Sequence, residues 1–503
     1  MFPMRLALER AARHFPNLIA MIKEDGSQES WHNHIDCVAR LAGVFCDLDL
    51  APSARFAILA PNSVDQATLI HAGYWSGRVP VPLNFRLSTG ELVAMLQKSG
   101  AQVLFVSTDY LNVAHKILGD GWGGQALLIG TGRDGIEGTE GLIRQSSATD
   151  PIHTTIDDEA ILYFTGGTTG EGKGVPLTHG NVVSNGFQVA TALGVGPSDR
   201  YLHAAPMFHS ADLLGTAVTL AGGSHSYLAK TSPKGVVDAL MERKATMTMV
   251  PPVLLDGIAR SGLLEGHALD HLRIFICGGA PVPFHLLEMG AKQMPSTALI
   301  QGYGLTETSP ILSFLHLPQA NVVGDAKVLG SAGKPLAGVE MRLLNVENGV
   351  GELAVRGANV FSGYLDLLAD TNAAFDDGWF RTGDVACFDE HGFLHILDRL
   401  KDVIITGGEN VYSVEVETVL LGHPDIADVA VIGIPDEKWG ERVTAIIVPM
   451  LDASIDVEAL TEYCRTYLGG FKIPREFHQV EVLPKSALGK TLKRNLVRTF
   501  INA

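Results

Sequence analysis

The sequence predicts an α/β protein built from βαβ-type sheets, followed by a smaller α+β domain at its C-terminal end. Three observations predict it. Strand and helix signals alternate over about the first four hundred residues, the pattern of βαβ units. The strands among them are nearly continuous apolar runs, as in sheets covered on both faces. Near residue 400 the texture changes at a dense charged run, and a chain of 503 residues exceeds what one hydrophobic core serves.

The elements follow in order. The first twenty residues carry charges within an apolar stretch and read as an amphipathic helix, not as a secretory signal. Arg55 to Ala60 is a strand, Ser63 caps a helix running through His71 to Trp75, and Val79 to Leu83 follows as a strand. Further strands are expected at Ala101–Ser107, Ile161–Phe164, Thr246–Val250, Leu272–Cys277 and Ala298–Gln301. The stretch from Gly119 to Asp150 is rich in Gly, Ser and Thr and is expected to be loop-heavy. Asp398-Arg-Leu-Lys-Asp402 reads as a short polar hinge, dividing residues 1–399 from 400–503. Beyond it, strands are expected at Ala427–Ile432 and Val443–Val448, and helices around Val414–Leu421 and Val457–Tyr467.

Composition excludes several functions. The hydrophobic fraction is 46% and the charged fraction 18%, enough apolar material for packed cores and against disorder. A formal net charge of -17 disfavours nonspecific binding to nucleic acid. No uninterrupted apolar run reaches the ~18 residues that span a bilayer. Cys37, Cys46, Cys277, Cys387 and Cys464 are scattered and contain no CxxC pair, which fits a reducing cytoplasm and argues against disulfides or a zinc site. Cys277 lies in an apolar run and reads as a buried small hydrophobe.

The sharpest local feature is Tyr163-Phe-Thr-Gly-Gly-Thr-Thr-Gly-Glu-Gly-Lys-Gly-Val175, which follows a strand. Glycines let backbone approach an anion closely. The hydroxyls of Thr165, Thr168 and Thr169 add donors, and Lys173 adds charge. Gly167 to Lys173 also fits the opening of a P-loop, G-x-x-x-x-G-K. A P-loop needs Ser or Thr next, to hold Mg²⁺, and here the next residue is Gly174. Pro176 and Gly180 spoil the helix that should follow, so a P-loop NTPase is disfavoured.

The segment resembles the phosphate-binding signature YTSGTTGxPKGV of the adenylate-forming superfamily, which includes acyl-CoA synthetases, luciferases and peptide-synthetase adenylation domains. Gly166 stands in place of the usual Ser, and Gly172 in place of the usual Pro. Further matches recur in family order from about Asn84 to Lys490. They are Pro206-Met-Phe-His209, Gly278-Gly-Ala-Pro281, Gln301-Gly-Tyr-Gly-Leu-Thr-Glu-Thr308, Gly378-Trp-Phe-Arg-Thr-Gly-Asp384, Gly407-Gly-Glu-Asn-Val-Tyr412 and Pro484-Lys-Ser-Ala-Leu-Gly-Lys490. After Tyr412 the family usually has Pro, where this chain has Ser413.

The resemblance implies a fold and a set of roles. The fold would be a large N-terminal domain of βαβ-type sheets with a β-barrel-like subdomain, and a small mobile C-terminal domain. ATP would contact Thr165, Gly166, Gly167, Thr168, Thr169, Gly170 and Lys173, with Gly279, Ala280, Pro281, Gln301, Gly302, Tyr303 and Gly304 around adenine. Tyr303 would stack on the base, Thr306 would bond the α-phosphate, and Glu307 would ligate Mg²⁺, a hard cation that prefers carboxylate oxygen. Asp384 and Arg399 would hold the ribose. His209, Ser210, Ala211, Gly215, Gly278 and Gly304 would line the acyl pocket, and the small residues following His209 favour a fair-sized acid. Gly407, Gly408, Trp439 and Phe471 would line the coenzyme A channel, Lys401 would be the hinge, and Lys490 the adenylation lysine.

The implied reaction joins a carboxylic acid to AMP with release of pyrophosphate, then passes the acyl group to coenzyme A. No Arg follows His209 to pair with a second carboxylate, so a dicarboxylate is disfavoured. Medium- or long-chain fatty acids and aryl or arylpropenoic acids stay open. Asp212 faces either a polar substrate group or solvent. Three rivals stay open as well: a ligase that loads a carrier protein, a luciferase-like oxygenase, and a degenerate nucleotide-binding sensor. A homodimer is compatible with the sequence.

Overall fold

A computed structural model describes residues 1–165, 172–264, 269–317, 330–451, 453–485 and 491–501. The chain forms two compact units. The first comprises residues 1–329, 333–340 and 356–380, and the second comprises 330–332, 341–355 and 381–503.

The first unit is built on a nine-stranded sheet. Its central strands Ala298–Tyr303, Ile274–Gly278, Met247–Val250, Arg200–His203, Ser224–Tyr227 and Ile19–Ile22 run parallel to their neighbours. Antiparallel strands close both ends, Ser313–His316 with Lys334–Pro335 on one and Gln28–Ser30 on the other. A second, all-parallel sheet orders Val79–Pro82, Arg55–Leu59, Val103–Val106 and Gln125–Leu128. The parallel strands are buried along their length, as their apolar runs require.

Local chemistry fixes the connecting helices. Ser63 accepts from the Gln66 amide and starts the helix Val64–Ser76. Ser88 and Glu91 form a capping box on Thr89–Ser99, whose Leu92 and Leu96 bury against the parallel sheet. Thr178 and Asn181 cap His179–Leu193 in the same reciprocal way. The expected loop-heavy stretch 119–150 also contains the strand Gln125–Leu128 and the helix Thr139–Gln145. Both are short, which is why their periodicity is weak in sequence. The opening amphipathic stretch is the helix Met4–His14, burying Met4, Ala7, Leu8 and Ala11. Cys277 is fully buried, and all five cysteines are free thiols.

The second unit contains most of a sheet that orders Glu340–Glu347, Val350–Arg356 and Trp379–Phe388, with Leu394–Arg399 antiparallel to Trp379–Phe388. It continues into a second sheet, Glu409–Val411, Ile404–Thr406, Gly440–Pro449 and Ile426–Asp436, with Glu476–Gln479 parallel to Gly440–Pro449. The helices Ser413–Leu421 and Val457–Tyr467 cover it, burying Val416, Leu420, Leu460 and Cys464. The α+β expectation for this region holds.

Several histidines of the first unit are buried. His34 Nε2 lies 2.9 Å from His71 Nδ1, and His203 Nε2 lies 3.0 Å from His225 Nδ1. Burial pushes His71 from its ordinary 6.5 down to about 3, and His179 down to about 4. The His71 and His179 rings are neutral at pH 7 in the folded state and titrate at their ordinary value when unfolded. On acidification through 6.5 toward about 4, the unfolded chain binds more protons, so stability falls over that window and is fully present above it. Thermal melts at stepped pH should show this fall, and His179→Gln should make it shallower; an unchanged slope would contradict the assignment.

Candidate active site

In the first unit, the strand Glu159–Thr165 pairs antiparallel with Lys173–Thr178, placing Thr165 opposite Lys173. The predicted phosphate residues Gly166, Gly167, Thr168, Thr169 and Gly170 lie outside the described residues. The closing hairpin arm is secured by Lys98, whose Nζ donates to the Gly172 carbonyl at 2.9 Å. Lys173 is held by an ion pair with Asp370 and lies 4.7 Å from the centre of the Tyr364 ring. The Tyr364 hydroxyl in turn donates to Glu307 Oε1 at 2.9 Å. Lys173 and Glu307 are thus joined through one tyrosine.

Glu307 and Thr306 sit in a single 3-10 turn, Thr306–Thr308, and both are buried. The turn is fixed from several sides. Leu305 N donates to Thr308 Oγ1 at 3.0 Å, Asn359 donates to the Thr308 carbonyl at 2.9 Å, and Phe361 N donates to the Glu307 carbonyl at 2.8 Å. Gly304 precedes it because a Cβ there would lie 1.9 Å from the Pro310 carbonyl. Tyr303 closes the strand Ala298–Tyr303, next to Gln301 and Gly302. Gln301 Oε1 is buried without a hydrogen-bond partner among the described residues, an acceptor left for a ligand's N–H.

Gly278 ends the neighbouring strand and pairs with Gly302. Gly279 follows at φ +84°, with open space where a side chain would stand. Ala280 and Pro281 continue this turn. Two small residues side by side, an open backbone and an unsatisfied acceptor suit a flat heteroaromatic ring.

The Pro206–His209 segment leads into the turn Ser210–Gly215. Ser210 Oγ donates to Thr306 Oγ1 at 3.0 Å, so two motifs almost a hundred residues apart in sequence share a hydrogen bond. His209 Nδ1 accepts from the Ala211 amide at 3.2 Å, and desolvation pushes the ring down to about 4, so it is a neutral imidazole at pH 7. Gly215 packs closely against its neighbours. A Cβ there would lie 2.6 Å from the His203 ring. The largely buried Asp212 side chain pairs with His203 Nδ1 at 2.5 Å. A cavity of about 40 Å³ lies beside this pair, lined by His71, Tyr163, His203, Asp212 and His225 among others. Such a volume is of the order of one water molecule.

Asp384 and Arg399 belong to the second unit, directly paired across neighbouring strands. Arg399 Nε lies 2.7 Å from Asp384 Oδ1, so the guanidinium orients the carboxylate expected to meet ribose. Asp384 is buried, and its amide donates to Thr382 Oγ1 at 3.1 Å. Lys401 follows in a 3-10 turn, Leu400–Asp402, where desolvation holds its ammonium below the ordinary lysine value. Gly407 and Gly408 form the exposed tip of the hairpin Ile404–Val411. Gly407 N donates to the Trp439 carbonyl at 2.7 Å, and a Cβ at Gly407 would lie 3.4 Å from the Trp439 ring. Arg475 stacks on that ring at 3.8 Å, and Phe471 is exposed at 37%. Lys490 lies outside the described residues.

Sequence reading missed Tyr364 and Asp370, because a lone Tyr and a lone Asp in a polar stretch carry no spacing signal. It also missed His203, which lies within an ordinary strand. Among the described residues, no group of three His, Cys, Asp or Glu is placed to hold a metal. A Mg²⁺ ion held by Glu307 alone would draw its remaining ligands from phosphate and water, the usual arrangement for that ion.

Comparison with known proteins agrees with this geometry. The family model "AMP-binding enzyme" matches residues 8–365, and "AMP-binding enzyme C-terminal domain" matches residues 415–490. The chain is 35% identical over 499 residues to a feruloyl-CoA synthase of Amycolatopsis, covering 98% of each chain. Its fold is similar to that of ATP-bound MatB from Rhodopseudomonas palustris, with a TM-score of 0.89, 30% identity and 99% of each chain covered. It is also similar to the o-succinylbenzoate CoA synthetase of Bacillus subtilis in complex with its acyl-adenylate intermediate, with a TM-score of 0.86, 30% identity and 97% of each chain covered. The chain therefore belongs to the AMP-binding enzyme family, the adenylate-forming acid–thiol ligases that its motifs resemble.

Proposed function

We propose that this chain is an acyl-CoA synthetase. It activates a carboxylic acid with ATP to an acyl adenylate and pyrophosphate, then transfers the acyl group to coenzyme A with release of AMP. The observation that carries the reading is the line from Lys173 through Tyr364 to Glu307, with Thr306 in the same turn. An anion-binding lysine and a metal-binding carboxylate at the two ends of one tyrosine suit a magnesium-bound polyphosphate.

A carboxylate is a poor electrophile, so the first step makes AMP its leaving group. The acid attacks the α-phosphorus, the bond to pyrophosphate breaks, and negative charge gathers on the α-phosphate oxygens. Thr306 donates a hydrogen bond there, and Lys490 countercharges it. Mg²⁺ on Glu307, when bound, neutralises phosphate charge. Tyr303 stacks on adenine against Gly279 to Pro281, and Asp384, oriented by Arg399, accepts from the ribose hydroxyls. In the second step the thiolate of coenzyme A, its proton lost to solvent, attacks the acyl carbon, the acyl C–O bond breaks and AMP leaves with the bonding electrons. The neutral His209 lies on the acyl side and does not repel or attract the incoming thiolate by charge.

Residues 1–399 and 400–503 act as the two bodies of this cycle, pivoting at Lys401 so that Lys490 withdraws and the Gly407–Trp439 surface approaches the acyl adenylate. Lys401→Pro should therefore leave adenylation near wild type and slow thioester formation by on the order of tenfold or more, if rotation gates the thiol step. Wild-type thioester turnover in that variant would contradict the pivot.

The substrate is a medium- or long-chain fatty acid or an aryl or arylpropenoic acid. The feruloyl-CoA synthase relative supports the arylpropenoic class. AMP release measured over a panel of such acids, with and without coenzyme A, tests both the substrate and the acceptor. Dependence on a carrier protein in place of free coenzyme A would identify the rival ligase. The reading places the enzyme in the cytoplasm, in keeping with its free thiols, and a homodimer is compatible with it.

A further inference from the structure

We propose that Ser413 and Lys493 are positioning residues for adenylation, tying the hinge strand to the helix that follows the Lys490 segment. The inference rests on the reading of Lys490 given above. All the contacts it uses lie within the second unit.

The network starts at Asp398, a buried carboxylate at the end of the strand Leu394–Arg399. It immediately precedes Arg399, the residue that orients Asp384, and lies three residues before Lys401. Asp398 Oδ2 accepts from Ser413 N at 2.5 Å and from Ser413 Oγ at 2.6 Å, and its Oδ1 accepts from the Arg399 amide at 2.7 Å. Ser413 is fully buried and begins the helix Ser413–Leu421. Its hydroxyl also accepts from Lys493 Nζ. That ammonium pairs with Glu417 Oε1 at 2.7 Å, one turn further along the helix, and Glu417 accepts from the Val431 amide at 2.8 Å. A single serine thus has a carboxylate from the hinge side on one face and an ammonium from the C-terminal helix on the other.

Lys493 opens the helix Lys493–Phe500, and Leu496 in that helix buries against Ala430, Ile432 and Leu483. Lys493 lies three positions after Lys490, with Thr491 and Leu492 between them, a reach of at most ~11 Å. The described residues flanking the Lys490 segment are tied together as well. Lys485 bridges to Thr491, Leu492 N donates to the Pro484 carbonyl at 2.8 Å, and Lys485 pairs with Asp428. Fixing Lys493 therefore fixes the described chain that flanks this segment on its C-terminal side.

The serine makes this possible. The family loop that this segment resembles usually carries Pro at the position of Ser413. Proline has neither an N–H to donate to Asp398 nor a hydroxyl to receive Lys493. The departure from the family pattern adds two donors to a buried carboxylate and one acceptor to a half-buried ammonium, and the carboxylate would cost stability if left unmet.

The test is Ser413→Ala, with Lys493→Met and Lys490→Ala in parallel, read in two half-reactions. Acid-dependent ATP–pyrophosphate exchange should fall by on the order of tenfold in Ser413→Ala and in Lys493→Met, through kcat and with KM for ATP little changed, as misplacement of a reacting group predicts. Thioester formation from supplied acyl adenylate should stay near wild type in both, and Ser413→Thr, which keeps the amide and the hydroxyl, should recover exchange. Wild-type exchange in both variants would overturn the inference. So would an equal loss in both half-reactions with a lowered melting temperature, the mark of a purely structural role. Lys490→Ala separates the two readings: if it loses exchange while the other variants keep it, only the positioning role fails. If it keeps exchange, the reading of Lys490 fails and the positioning role with it.

Discussion

Lys490→Ala should lower acid-dependent ATP–pyrophosphate exchange by at least ~10²-fold, the usual loss when a preorganised charge-stabilising donor is removed. The side chain is asked to act only while the α-phosphorus is under attack, so its effect belongs to kcat of adenylation. Thioester formation from supplied acyl adenylate should fall much less, because the thiol attacks the acyl carbon and no bond to the α-phosphorus is made or broken in that step. This asymmetry is what distinguishes a transition-state role from general damage. Equal losses in the two half-reactions would refute the division of labour between the two bodies of the chain.

Glu307→Gln should have an effect of similar size, roughly 10²-fold in adenylation, with a raised requirement for Mg²⁺. The substitution keeps the volume and the bond from the Tyr364 hydroxyl, which an amide oxygen can also accept. It removes the charge that a hard cation needs. Glu307 is buried in a turn fixed by Asn359, Phe361 and Thr308, so the fold should survive the change and the loss should appear in chemistry and metal dependence. A Glu307→Gln enzyme with unchanged rate and unchanged Mg²⁺ titration would remove Glu307 from the metal site.

Much of the fold was legible because buried parallel strands announce themselves as apolar runs. Arg55–Leu59, Ile274–Gly278 and Ala298–Tyr303 lie where those runs lie, and the helix Val457–Tyr467 has the bounds its periodicity gives. Serine and threonine caps were legible for the same reason, since Ser63 acts on its own backbone neighbours. Short elements such as Thr139–Gln145 were not, because seven residues do not complete two helical turns of pattern.

At the site, motifs within one loop were legible and contacts between distant loops were not. Thr306 and Glu307 are adjacent in sequence and stay adjacent in space. The partners that fix them, Tyr364 for Glu307 and Ser210 for Thr306, come from remote segments whose pairing only the fold specifies. Asp212 shows the same limit. It looked odd beside small residues because its partner, His203, reaches it from a strand in another part of the pattern. Ser413 looked like a mild departure from the family loop, and its two partners come from before and after it in the chain.

The account stands or falls on where ATP is cut. Purified protein, given Mg²⁺, ATP and a panel of aryl and fatty acids, should release AMP and pyrophosphate only when a suitable acid is present, and should form the thioester when coenzyme A is added. Release of ADP and orthophosphate, with no pyrophosphate for any acid, would contradict it.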